Sequence, residues 1–206
     1  MEDILEVYSR PYCSDLPVVC LDESSIQLIG EVREPIAAAP GHGLLLDDEY
    51  VRKGVANIFM AVEPLAGKRE VRIVEQRTRI DWAFFVKELL DERYADTEKV
   101  VLVMDNLNTH STSSLYAAFP PEEAMRLAQR LEIHYTPKHG SWLNIAEIEL
   151  SVLKRQCLAS RIGCIEKMRA KVLAWNTDRN NSQAPVDWRF TTSDARIKLK
   201  RLYPKL

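Results

Sequence analysis

The sequence predicts an α/β fold, a mixed sheet covered by helices. Two short apolar runs rich in β-branched residues, 18–22 (VVCLD) and 100–105 (VVLVMD), read as strands buried on both faces. After Asp81 the hydrophobic period changes from that of a strand to that of a helix. Pro and Gly fall between the periodic segments, where turns belong.

The elements follow in order. Residues 1–17 read as a linker-like N-terminal segment ahead of the first strand, 18–22. The stretch 34–54, with its PI, PGHG and RKG elements, reads as a surface loop or hairpin before a second apolar run, 56–62 (ANIFMAV). The turn 64–68 (PLAGK) then leads into 70–75 (EVRIVE), where Val71 and Ile73, with Val74 out of step, suggest an antiparallel partner. Trp82, Phe85, Val86, Leu89 and Leu90 form one stripe of an amphipathic helix, with Asp81 as its cap. Strand 100–105 ends in the polar turn 106–110 (NLNTH). A Pro-led helix, 121–131, places Ala124, Leu127, Ala128 and Leu131 on one face, with Glu122 and Glu123 at its favourable end. A strand at 132–135, the loop 136–142 (TPKHGSW) and helices at 144–159 and 165–179 come next. Thr191 and Asp194 have capping-box spacing ahead of a final basic helix, 195–202. The expected organisation is one domain: a core from 18 to 180, and a basic extension, 181–206, packing on it.

Composition narrows the function. With 206 residues, 46% hydrophobic and 28% charged, the chain is neither disordered nor fibrous. No apolar run approaches the roughly 20 residues that cross a bilayer, and the acidic start lacks a signal peptide's pattern, so a soluble intracellular protein is expected. Cys13, Cys20, Cys157 and Cys164 show neither a C-x-x-C pair nor zinc-ligand spacing and read as reduced packing residues. A formal charge of -2 gives no sign of a nucleic-acid binder. The basic tail (Arg196, Lys198, Lys200, Arg201, Lys205) reads first as a solvated helix face.

The chemistry lies in the acids. Strands 18–22 and 100–105 each end in Asp, and ligands of open α/β sheets gather at the carboxyl ends of strands. If these strands are parallel neighbours, Asp22 and Asp105 come together as hard-cation ligands suited to phosphoryl chemistry. A third acid would come from the helix after TPKHGSW. On a helical wheel Glu149 falls within the apolar arc of Ile145, Ile148, Val152 and Leu153, whereas Glu147 lies with Ser151 and Lys154, and this leaves both open. A single Asp at a strand end is more often a turn residue than a ligand, and His110 or His139 alone is more often a surface or packing residue.

The blocks CLDES (20–24), LVMDNLNTH (102–110) and HYTPKHGSWLNIAEIELSVLKR (134–155), closing with DWRFTTSDARIKLKRLYP (187–204), resemble bacterial insertion-sequence transposases of the mariner-related DDE superfamily. The resemblance implies an RNase H-like fold, with a five-stranded mixed sheet flanked by helices and extra C-terminal helices. It selects Glu147, after Leu143-Asn144-Ile145-Ala146, as third acid. It further implies a triad of Asp22, Asp105 and Glu147 holding two Mg²⁺ or Mn²⁺ ions for DNA cleavage and strand transfer. Asn106, Asn108 and His110 would support the ligands or touch DNA, and Lys138 and His139 would approach phosphate. The implied partners are transposon terminal inverted repeats, target DNA and a second copy of the chain, in a bacterial cytoplasm and at the nucleoid. Two departures stand out: the second and third acids are farther apart than in familiar mariner-type elements, and the helix-turn-helix region that reads terminal repeats is not evident. A truncated product that does not transpose alone, and an RNase H-like nuclease acting on another nucleic acid, are the alternative expectations.

Overall fold

The structure, a computed structural model, describes residues 1–43, Leu45, 47–138 and 140–203. Its centre is a five-stranded sheet in the order β3-β2-β1-β4-β5, built from β1 (Val18–Glu31), β2 (Tyr50–Glu63), β3 (Lys68–Val74), β4 (Val100–Met104) and β5 (Leu131–Tyr135). The β1/β2 and β2/β3 pairs are antiparallel, whereas β1/β4 and β4/β5 are parallel. Three antiparallel strands and two parallel ones, joined by helices, make the expected mixed sheet.

Alternation along the strands sends side chains to two cores. On one face Cys20, Met60 and Val103 pack with α1 (Glu2–Tyr8), α5 (Ile145–Gln156) and α6 (Ile165–Asn181). On the other, Leu21, Phe59 and Leu102 meet α2 (Arg79–Glu88), α3 (Thr112–Ala118) and α4 (Pro121–Gln129). All five residues of β4 are buried, as a strand covered on both faces must be. The final helix, α7 (Thr192–Lys198), inserts Ala195 into the first core and joins α1 through Arg196 and Glu2, at 2.6 Å. Among the described residues, no helix is long and apolar enough to cross a membrane.

Several elements differ from the sequence reading, each for a local reason. The segment 1–17, expected to be linker-like, contains α1, whose Ile4, Leu5 and Val7 are buried. Strand β1 does not stop at Asp22. Its partnership with β4 ends at Cys20↔Val103, but it continues to Glu31 as a ribbon with β2, and the polar residues of that ribbon hid it from a search for apolar runs. Within the stretch 34–54, the bridges Ile36↔Leu45 and Ala39↔His42 bring the chain back on itself, and residues 50–54 already belong to β2. Helix α2 is capped by Thr78, and Asp81, expected as the cap, is the third helical residue of the capping box. Helix α3, in a Ser- and Thr-rich stretch, was not expected. The PLAGK turn depends on Gly67. Its φ is +64°, and a Cβ there would meet the backbone of Gln183 and Pro185 at 2.9 Å.

Candidate active site

The parallel pairing of β1 with β4 sets the site. Cys20 is level with Val103, the last pair of the two strands, so Asp22 and Asp105 follow side by side at the carboxyl end of the parallel pairing. The third acid arrives by a capping interaction. Asn144 is the N-cap of α5: its Oδ1 accepts from the Ala146 N–H at 3.2 Å, and its Nδ2 donates to the Leu21 carbonyl at 2.9 Å. Because Leu21 immediately precedes Asp22, this one buried side chain docks the start of α5 beside the first acid. Tyr8 reinforces it by donating to the Leu143 carbonyl at 2.6 Å. Glu147, in the first turn of α5, therefore joins Asp22 and Asp105 in lining an open cleft of about 310 Å³.

Asp22 feels its acidic neighbours. Burial pushes the Asp22 carboxyl up to about 6, and the charges of Asp105, Glu23 and Glu147 push the same way, against the Glu23 N–H that donates to its Oδ1 at 2.8 Å. Among the described residues, no three His, Cys, Asp or Glu side chains are gathered tightly enough to enclose an ion. The acids line an open cleft and do not form a closed cage. Their oxygen donors and mutually repelling charges fit a hard divalent cation.

Glu149, the other candidate, turns inward. Its carboxylate accepts from Arg69 Nε at 2.9 Å and Nη2 at 3.1 Å, and from Arg179 Nη2 at 2.9 Å. Burial opposes its ionisation, but the two guanidinium groups win and hold its carboxyl below the usual range. The apolar arc of the wheel marked a buried ion pair binding β3, α5 and α6 together.

His110 lies behind the acids with its side chain fully buried. Nδ1 is 2.5 Å from Asp105 Oδ1 and Nε2 is 2.6 Å from Glu23 Oε2. Burial alone would lower its pKa, but the hydrogen bonds to Asp105 and Glu23 carry it up to about 9. Asn106 and Asn108 are exposed on the loop after β4, and Lys138 is exposed after β5; none of them lines the cleft. His139 lies outside the described residues. The sequence reading missed Glu23, Asn144 and Lys154, all of which line the cleft. Lys154 carried a visible signal, since it shares the helical face of Glu147. Glu23 carried none, because its role depends on a contact with His110, far away in the chain.

The protein is thus an RNase H-like α/β domain with two aspartates after its central parallel strands and a glutamate from α5 beside them. A family model described as DDE superfamily endonuclease matches residues 17–169, and the chain belongs to that family. Its fold is similar to that of three solved structures. They are the Mos1 mariner paired end complex with Mn (15% identity, TM-score 0.57, covering 89% of this chain and 56% of that one), the Mos1 transposase paired-end complex with left transposon end (13%, 0.59, 89% and 57%), and the Mos1 strand transfer complex (13%, 0.61, 89% and 53%). The chain thus spans little more than half the length of these transposase chains. A search of curated protein sequences finds no match.

Proposed function

We propose that the chain is the catalytic part of an insertion-sequence transposase, cutting DNA phosphodiester bonds at transposon ends and joining the new 3′-hydroxyl to target DNA. The observation that carries this reading is the convergence of Asp22, Asp105 and Glu147 on one open cleft. Those three carboxylates would hold divalent cations, Mg²⁺ or Mn²⁺, two being the number that the family resemblance implies. Bound there, such ions would activate the attacking hydroxyl and neutralise the leaving oxygen of an in-line displacement. The chain's own residues do the rest. The acids supply fixed negative charge at the carboxyl edge of the sheet, and Asn144 keeps Glu147 at that edge. Lys154, on the cleft wall, would offer a cation to a phosphate oxygen, and Asn106, Asn108 and Lys138, all exposed, would meet the DNA backbone. The solved Mos1 structures are paired-end and strand-transfer complexes, which supports DNA as the substrate and two copies acting on paired ends.

The test is nicking of supercoiled DNA with Mn²⁺ or Mg²⁺, together with joining of a pre-cut 3′-hydroxyl end. Asp22→Asn, Asp105→Asn and Glu147→Gln are each expected to lower the nicking rate at least about 100-fold while the protein stays folded. Full nicking by a folded Asp105→Asn variant would sink the assignment. Nicking without any joining would favour a nuclease acting on another nucleic acid.

A further inference from the structure

The ring of His110 cannot reach DNA, because its side chain is fully buried. Each of its nitrogens faces a carboxylate oxygen, Asp105 Oδ1 at 2.5 Å and Glu23 Oε2 at 2.6 Å. The ring is held in other ways as well. Trp82 stacks on it with centroids 6.0 Å apart, and the Tyr135 hydroxyl donates to the His110 carbonyl at 2.8 Å. At the far end, Glu23 Oε1 lies 3.6 Å from an Arg77 guanidinium nitrogen. The chain Arg77–Glu23–His110–Asp105 thus ties the edge of β1 to the end of β4 and closes on one oxygen of a half-exposed acid.

We propose that Glu23 and His110 are positioning residues for the phosphodiester chemistry. Glu23 fixes the ring of His110, His110 takes Oδ1 of Asp105, and Oδ2 is thereby the oxygen presented to a divalent cation. An aspartate at the mouth of an open cleft otherwise rotates freely about its side-chain torsions and loses affinity to that freedom. Groups that orient a metal ligand from behind typically contribute 10- to 100-fold in affinity. This inference rests on the reading of Asp22, Asp105 and Glu147 as the metal-holding acids.

The experiment is Mn²⁺ titration by calorimetry, paired with nicking rates over a range of Mn²⁺ concentrations, for the full chain and for Glu23→Gln, His110→Ala and the double variant. His110→Ala should weaken Mn²⁺ binding about 10- to 100-fold and raise the Mn²⁺ concentration for half-maximal nicking by the same factor. The rate at saturating Mn²⁺ should stay within about 3-fold of the parent, a split that a general loss of structure would not give. Glu23→Gln keeps the side-chain shape and guards against a folding defect. It should give a shift in the same direction of less than about 10-fold. Because the two residues act in series, the double variant should be no worse than His110→Ala. Folded variants with the parent's Mn²⁺ affinity, or losses that simply multiply, would overturn the inference alone. Failure of the parent chain to bind Mn²⁺, or binding that survives Asp105→Asn, would instead overturn the underlying assignment of the acids.

Discussion

Glu147 and Glu149 stand two residues apart on one helix and do opposite things. Glu149 is closed in by Arg69 and Arg179, with side-chain exposures of 2% for the glutamate and 0% for Arg69. Removing one partner of such a pair leaves buried charge uncompensated, so Glu149→Ala should destabilise the fold by about 3–5 kcal/mol in urea denaturation. Glu147 faces the open cleft among like charges, and Glu147→Gln should change stability by no more than about 0.5 kcal/mol, or raise it slightly, by relieving repulsion. Equal losses in the two variants would contradict the placement of both side chains. The sequence could not separate them by geometry, because a helical wheel reports which face is apolar and not what lies opposite. Arg69 and Arg179 come from distant segments, and only the fold brings them to Glu149. The family resemblance reached Glu147 from local sequence alone.

Among the elements, the helices and strands with long apolar patterns were legible, and the missed helices, α1 and α3, are only seven residues each. Helix α1 has too few turns for its period to show, and its place against the sheet edge is secured partly by charge. His134 on β5 meets Asp3 of α1 at 2.9 Å and Glu132 at 2.9 Å, while Arg10 donates to the same Glu132 oxygen at 2.8 Å. Burial would lower the His134 pKa, but the two carboxylates raise it above its ordinary value of 6.5. A pKa higher in the folded than in the unfolded state stabilises fully below the unfolded value and is lost as pH rises through the folded one. The melting temperature should therefore fall as pH rises above about 6.5, and part of that fall should vanish in His134→Gln. An identical pH profile in the variant would assign no such role to the α1–β5 contact. Strand β1 teaches the same lesson. Its first five residues were plain as an apolar run, while the remainder, a mostly polar and half-buried ribbon with β2, was not.

For the molecule as a whole, a mixed sheet covered by helices was legible in the order of strands and helices, while its five-stranded arrangement came from the family resemblance and the division into two cores from the structure. The cleft was half legible: its acids could be named, but not the Asn144 dock or the Glu23–His110 support. Metal-free, the folded state brings Asp22, Asp105 and Glu147 together at a cost in repulsion, and a ligand that binds only the folded chain returns stability by mass action. Mn²⁺ at 100 times its dissociation constant should add about 2.7 kcal/mol. For a chain of this size that is a rise of about 5–10 °C in melting temperature. Asp105→Asn should lose most of this rise, and a rise of the same size in the variant would place the binding elsewhere.

The early departure of β4 from β1 has one more consequence. Beyond Val103 the partner of β1 is gone, while β1 itself runs on to Glu31, so the sheet has a step with Asp22 at its corner. As far as Ile29, whose N–H donates to the Ile162 carbonyl, the step is an open cleft and not a tunnel. A chain laid against such a cleft sideways has no need to thread an end. Under the proposed function, such a cleft would admit bonds in the interior of long or circular polymers, with no terminus to be found first.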